Sequence, residues 1–265
     1  MARRVIAVWG PQPGENGDVA SKLQDMGRLA AGVWAFYLEI TPGGLTLARL
    51  TELMVQTRVS GPGRARTLIA YLRFIRFIEP APPGEDGRRR LFVTTPSLKS
   101  AFRNRLYNEL EARKHLDPAV VWVLDRFHDE LVFTAYFTVI SEVSMSIMQI
   151  GTKRNSALDL FSERYAGMTV LGEMLLGGGP EDDFPPRRPV RYSLADIANR
   201  CGTSRAQVLG LVKKARNAGL LIQQDDGGDL LSTELREAIE AFVAGTTDMV
   251  VGGARIVAGN RPPVM

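Results

Sequence analysis

The chain has 265 residues, 45% of them apolar and 23% charged, and a formal net charge of +4. That length suits two small domains, and the ordinary balance excludes fibrous and wholly disordered classes. One cysteine, Cys201, excludes an intrachain disulfide, and with only His115 and His128 beside it no metal site or cofactor is expected.

The first residues, MARRVIAVWGPQP, start basic, but their apolar run covers only Val5 to Trp9, too short for a secretory signal. Residues 1–17 read as an irregular Gly- and Pro-rich arm. Leu23, Met26, Leu29, Ala30, Val33, Trp34 and Tyr37 then recur at helical spacing, which predicts an amphipathic helix over 21–40, ended by Thr41-Pro42-Gly43-Gly44.

A first module follows, from Leu45 to Pro96. Gly61 stands at a cap position and Pro62 at the first helical position, where its missing N–H costs nothing. Leu68, Ile69, Leu72 and Ile75 make the core stripe of that helix, and Arg64, Arg66, Arg73 and Arg76 project elsewhere. Its hairpin runs from Phe77 to Val93, turns through residues 82–87 and carries Arg88, Arg89 and Arg90.

Residues 97–150 read as helical with a break near Asp117-Pro118. The aromatic series Trp122, Phe127, Phe133, Tyr136 and Phe137 is expected as inter-domain core, and His128 as packing or making a local hydrogen bond rather than serving as a ligand. The longest uncharged run there, Leu131 to Ser141, falls short of the roughly 20 residues that span a bilayer, so no membrane partner and a cytoplasmic location are expected.

A second helix is predicted over 156–176, then a Gly- and Pro-rich linker, then a second module from Val190 to Thr233. Ser193 can cap its first helix, with Asp196 completing a capping box. Cys201-Gly202-Thr203 makes a turn, where Cys201 supplies a small buried side chain. Ser204 caps the next helix, and Gln207 is placed for the reciprocal bond. Val208, Leu211, Val212 and Ala215 form the core stripe, Gly219 ends the helix, and Asp225-Asp226-Gly227-Gly228 is a hairpin turn. A helix over 234–244 and a frayed tail from Thr246 complete the chain. The expected domains are therefore the arm 1–17, a first domain over 18–150 and a second over 151–265.

The two modules align without a gap. Shifted by 143 positions, Leu50–Glu79 lies on Ser193–Ile222, pairing Met54 with Ile197, Leu68 with Leu211, Ile69 with Val212 and Ile78 with Leu221. Positive charge gathers on these segments. From Arg58 to Arg105 there are eleven basic and three acidic residues, and from Arg187 to Arg236 nine and five.

The pattern LADIANRCGTSRAQVLGLVKKARNAGLL, with a short wing and a helix beginning Ser232-Thr233-Glu234, resembles the MarR-like winged helix-turn-helix regulators. About fifty residues in each half carry the resemblance. Family members hold one such module per chain, so two copies here suggest a single-chain pseudo-dimer. What the resemblance implies is a mainly α fold with small β-wings, in which tandem winged helix-turn-helix domains are joined by long helices.

In such a motif the start of the second helix reaches base edges in the major groove. That places Arg64 and Arg66 on bases in the first copy, and Ser204, Arg205 and Gln207 in the second. Arg73 lies later on the first helix, and Lys213, Lys214 and Arg216 lie later on the second, where they are expected to meet phosphates or acidic neighbours. Arg88, Arg89 and Arg90 suit the minor groove or its phosphates. Asp225, Asp226 and Asp229 make the second wing acidic, so an unequal pair is expected.

The reading is a sequence-specific transcriptional regulator holding two half-sites of double-stranded DNA. Its partners would be DNA and a regulatory protein or the transcription machinery, as a monomeric pseudo-dimer or a homodimer. Alternatives are a plasmid-type replication initiator and a winged-helix protein-protein interaction module. An enzyme is not expected: no phosphate-cradling Gly motif, nucleophile elbow or paired-carboxylate signature appears.

Overall fold

The computed structural model describes residues 1–8, 22–23, 25–82, 91–150, 156–178, 183–225 and 227–260. Its elements, in order, are α1 (Ala2–Ala7), α2 (Met26–Ile40), α3 (Leu47–Gln56), α4 (Pro62–Phe74), β1 (Ile78–Pro80), β2 (Phe92–Thr94), α5 (Pro96–Glu111), α6 (Pro118–Asp125), α7 (Glu130–Ile150), α8 (Ser156–Ser162), α9 (Gly167–Leu176), α10 (Leu194–Arg200), α11 (Arg205–Asn217), β3 (Leu221–Gln223), β4 (Asp229–Leu231) and α12 (Thr233–Gly259). The chain is mainly helical with two small antiparallel sheets, as the sequence predicts at that level.

The internal offset reappears in the element bounds. Helices α4 and α11 each run thirteen residues, and strands β1 and β3 begin at matching positions after them. The hairpins also match in register: Ile78 pairs with Thr94 and Pro80 with Phe92, while Leu221 pairs with Leu231 and Gln223 with Asp229. Each gains one further bridge, Leu45 to Phe92 and Val190 to Asp229.

Two compact units divide the chain, Met26–Thr152 with Met249–Met265, and Met1–Asp25 with Lys153–Asp248. In the first, α2 buries Trp34, Ala35 and Phe36, and packs against α3, α4 and α7. Phe36 stands 4.5 Å from Phe137 and 5.8 Å from Phe133 between ring centroids, and Phe127 meets Phe133 edge-on at 5.5 Å. These rings fill the interior of one unit, so the expectation of an inter-domain aromatic core is corrected. Trp122 is half-buried beneath Arg126, and His128 is exposed with its carbonyl accepting from Arg103.

The same unit takes up the end of α12. Tyr136 Oη donates to the Val250 carbonyl at 3.2 Å, and Arg255 Nε lies 2.7 Å from Asp117 Oδ2. Asp117 also caps α6 by accepting from the Ala119 N–H; that bond and Arg255 hold its carboxyl below the usual carboxylate range. The frayed tail expected from Thr246 is therefore corrected as far as Asn260, and residues 261–265 lie outside the described residues. Two mid-helix glycines cost about 1 kcal/mol each in propensity, but burial of Val250, Ala254, Val257 and Ala258 outweighs them. Gly253 lets α12 seat closely there: a Cβ would stand 2.7 Å from Ile140 Cδ1, so the end of that side chain would have to shift.

In the other unit the expected irregular arm begins as helix α1, with Val5 and Ile6 fully buried, and residues 9–17 of that arm lie outside the described residues. It lies on α9, where a Cβ on Gly172 would stand 3.5 Å from Ile6, and Arg3 Nη2 donates to the Gly178 carbonyl at 2.6 Å. The single helix expected over 156–176 is two. Ala166 takes a left-handed φ of 55°, and Gly167 follows with the Phe161 carbonyl only 2.1 Å from where a Cβ would sit. The domain limits also differ from those expected, because α1 joins the second module's unit and the end of α12 joins the first's.

By length and composition alone, α7 and α12 are each long and apolar enough to cross a bilayer, which the short uncharged run Leu131–Ser141 does not convey. Both carry stripes buried inside the chain, Phe133, Tyr136, Phe137 and Ile140 on α7 and Leu235, Ala238 and Ile239 on α12.

Candidate nucleic-acid interface

Helix α4 starts as its residues dictate, with extended Gly61 as cap and Pro62 at the first turn. Ala65, Leu68, Ile69 and Leu72 are buried, which turns the rest of the helix outward. Arg64, Arg66 and Arg73 are exposed. Among the described residues, Arg64 and Arg66 have no side-chain partner, and Arg73 has only the Phe92 ring, 5.7 Å from its guanidinium carbon. Arg66 and Arg73, seven residues apart, share one flank of the helix, and Arg64 lies on the other.

The hairpin beside α4 is fixed by Glu39 of α2. Its carboxylate accepts from the Thr94 N–H at 2.6 Å, from the Thr94 hydroxyl, and from Lys99 Nζ at 2.6 Å. Arg103 is likewise paired with Glu130. Two of the basic residues counted in this segment are thus neutralised internally, and the exposed positive charge narrows toward α4. Arg88, Arg89 and Arg90 lie outside the described residues.

Helices α10 and α11 have the predicted caps. Ser193 accepts from the Asp196 N–H and Ser204 from the Gln207 N–H, both at 3.2 Å. The reciprocal bond expected from Gln207 is not made. Its amide nitrogen donates instead to the Tyr165 carbonyl at 2.8 Å, in the turn that Ala166 creates. The repeat also shifts the expected equivalence: Gln207 matches Arg64, Arg205 matches Pro62, and half-buried Leu209 matches Arg66. Arg205, Lys213 and Lys214 are exposed, with no side-chain partner among the described residues.

Arg216, the match of Arg73, meets a carboxylate. Its Nε stands 2.8 Å from Asp229 Oδ1 and its Nη2 2.9 Å from Oδ2, a two-point pair that holds the guanidinium's pKa above its ordinary value. Tyr192 donates to Asp229 as well, and burial with that carboxylate pushes the phenol's pKa up. Asp229 is 1% exposed, so it is not part of an acidic wing surface. Asp225 is exposed, and Asp226 lies outside the described residues.

Cys201 is buried in the turn between α10 and α11, as expected. Burial, with Glu173 nearby, pushes its thiol up to about 12, which keeps it protonated at neutral pH and speaks against redox sensing. The described residues contain no cluster of three or more His, Cys, Asp or Glu that would hold a metal ion.

The structure therefore gathers Arg64, Arg66 and Arg73 on one helix of one unit, and Ser204, Arg205, Gln207, Lys213 and Lys214 on one helix of the other. Sequence reading missed three things: the exposed Phe74, the Gln207–Tyr165 bond, and the replacement of Phe92 by Asp229. The last was visible in principle, because hairpin register pairs those two positions, but the loops between the strands differ in length and break the offset. Compared with known protein families, curated proteins and solved structures, the chain matches none.

Proposed function

We propose that the chain is a sequence-specific duplex-DNA-binding transcriptional regulator built on tandem winged helix-turn-helix modules, with α4 as its principal reading helix and α11 as the weaker partner on a second half-site. The observation that carries the reading is the outward face of α4. Arg64 and Arg66 project at the start of a helix that follows a helix and a turn and precedes a hairpin, where Arg suits guanine O6 and N7. The resemblance of the second copy to MarR-like regulators supports the same reading.

The deciding experiment is selection of bound duplexes from a random pool by the full chain, repeated with the Arg64→Ala, Arg66→Ala double variant. A site enriched by the parent and not by the variant supports the assignment. Equal enrichment by both removes α4 from the interface. Genome-wide mapping then separates promoter sites from the origin repeats a replication initiator would occupy.

One observation favours a second reading for the second unit alone. Gln207 and Arg216 of α11 are bonded within their own unit, which suits a helix that contacts protein rather than bases.

A further inference from the structure

The outward face of α4 holds more than cations. Opposite its core stripe, Gly63, Thr67, Ala70 and Phe74 fall on one line at spacings of three and four residues, and all four are exposed. Phe74 is 84% exposed, the highest value among the described large apolar side chains. Arg66 and Arg73 border this line on one side and Arg64 on the other.

Helical side chains lean toward the helix start, so the Phe74 ring covers the turn of Ala70. The Thr67 hydroxyl donates to the Gly63 carbonyl at 3.3 Å, which leaves its methyl as the group presented outward. At Gly61 and Gly63 an added Cβ would meet nothing within 4 Å, so packing within the chain does not demand glycine there. The result is an apolar ridge between two cationic flanks.

A major groove has the complementary section. Phosphates line both walls, and the one apolar group on its floor is the 5-methyl of thymine. We infer that the Thr67–Ala70–Phe74 ridge reads thymine 5-methyl groups, which makes these residues determinants of specificity beside the arginines. The inference rests on the reading of α4 as a duplex-DNA helix. The second copy has no such ridge: Gly210, Lys213 and Asn217 stand at the matching positions.

The test begins with a duplex selected by the full chain and replaces each dT in turn by deoxyuridine, which deletes the methyl and keeps every hydrogen-bonding edge. Contacted positions lose about fourfold in affinity per methyl. Phe74→Ala and Thr67→Ser each lose this sensitivity at one position, Phe74→Leu keeps it, and the salt dependence of binding stays unchanged in all three. Equal affinity for dT and deoxyuridine at every position, or undiminished discrimination by both Phe74→Ala and Thr67→Ser, overturns the inference and leaves the DNA reading standing. Failure of the parent chain to enrich any duplex overturns both, and Phe74 then marks a surface for protein.

Discussion

On α4, Arg64 and Arg66 stand exposed with no side-chain partner among the described residues, and Arg73 rests on an aromatic ring. On α11, the residue matching Arg64 is tied to the Tyr165 carbonyl and the residue matching Arg73 is locked by Asp229. Length, cap position and the register of the neighbouring hairpin are the same in both helices. What separates them is the second residue of each contact. Phe92 leaves the guanidinium's charge unneutralised and its donors available, whereas Asp229 neutralises the charge and takes the Nε and Nη2 donors, with Gln223 accepting from Nη1. One change on a hairpin strand thus decides whether an arginine on the adjacent helix is an anchor for its own fold or a group offered to an anion.

The largest expected effect breaks the comparison at α4. If Arg64 and Arg66 each make the proposed two-point guanine contact, of about 1–3 kcal/mol, Arg64→Ala with Arg66→Ala is expected to lower specific affinity by roughly 30-fold to 10⁴-fold in a fluorescence-anisotropy titration. Gln207→Ala produces a smaller loss. If Gln207→Ala proves the more damaging, the ranking of the two modules is reversed.

Next comes stability. Asp229→Ala leaves half-buried Arg216 with Gln223 as its remaining side-chain partner and removes the acceptor of Tyr192, costing about 3 kcal/mol in denaturant unfolding. Arg73→Ala, which loses only a partly solvated cation–π contact, costs about 1 kcal/mol or less. Similar costs for the two would show that the arginines do the same structural job.

Replacing Arg88, Arg89 and Arg90 with Gln is expected to weaken binding to all duplexes alike and to make the slope of log affinity against log salt shallower by about 2–3. An unchanged slope takes that hairpin off the DNA.

Cys201 gives a test by pH. Its thiol titrates near 12 in the folded chain, above its usual value, so the folded state keeps a proton that the unfolded chain releases. Any stability this contributes is present at neutral pH and is lost as pH rises past the unfolded value toward 12. Alkylation at pH 8 should accordingly be slow in the native protein and fast after denaturation. Rapid native labelling would mean that the turn before α11 opens readily.

The smallest effect concerns Gly210, which sits inside α11 with open space where a Cβ would go. Gly210→Ala should stabilise its unit by about 0.5–1 kcal/mol in denaturant unfolding. Gly63→Ala on α4 should instead weaken specific binding, because it thickens the ridge where DNA approaches.

Much of the local structure was legible in the residues. Ser193 and Ser204 announce helix starts because each bonds an N–H three positions on, and Gly61-Pro62 does so because Pro fixes a helical φ at the first position; neither device needs the rest of the chain. The buried stripes of α4 and α11 follow from period, and Gly219 at φ 72° ends α11 as glycine's freedom allows. The repeat itself was legible because apolar anchors at equal spacing demand the same packing twice. The exposure of Arg64, Arg66, Arg205, Lys213 and Lys214 follows from those stripes too.

Tertiary structure decided the rest. No spacing rule joins Gln207 to Tyr165, forty-two positions away, or Tyr192 to Asp229, thirty-seven away. The helical period runs on through Ala166, so the break between α8 and α9 is set by the close seat of Gly167 on Phe161. The Gly-rich stretch after Thr246 is weak helix by propensity and becomes helix because Val250, Ala254 and Val257 find a core. Sequence by itself determined where two similar helices begin, end and turn their apolar sides, since those are interactions within a few residues. Which of their outward groups remain available to a partner was left to contacts between distant segments.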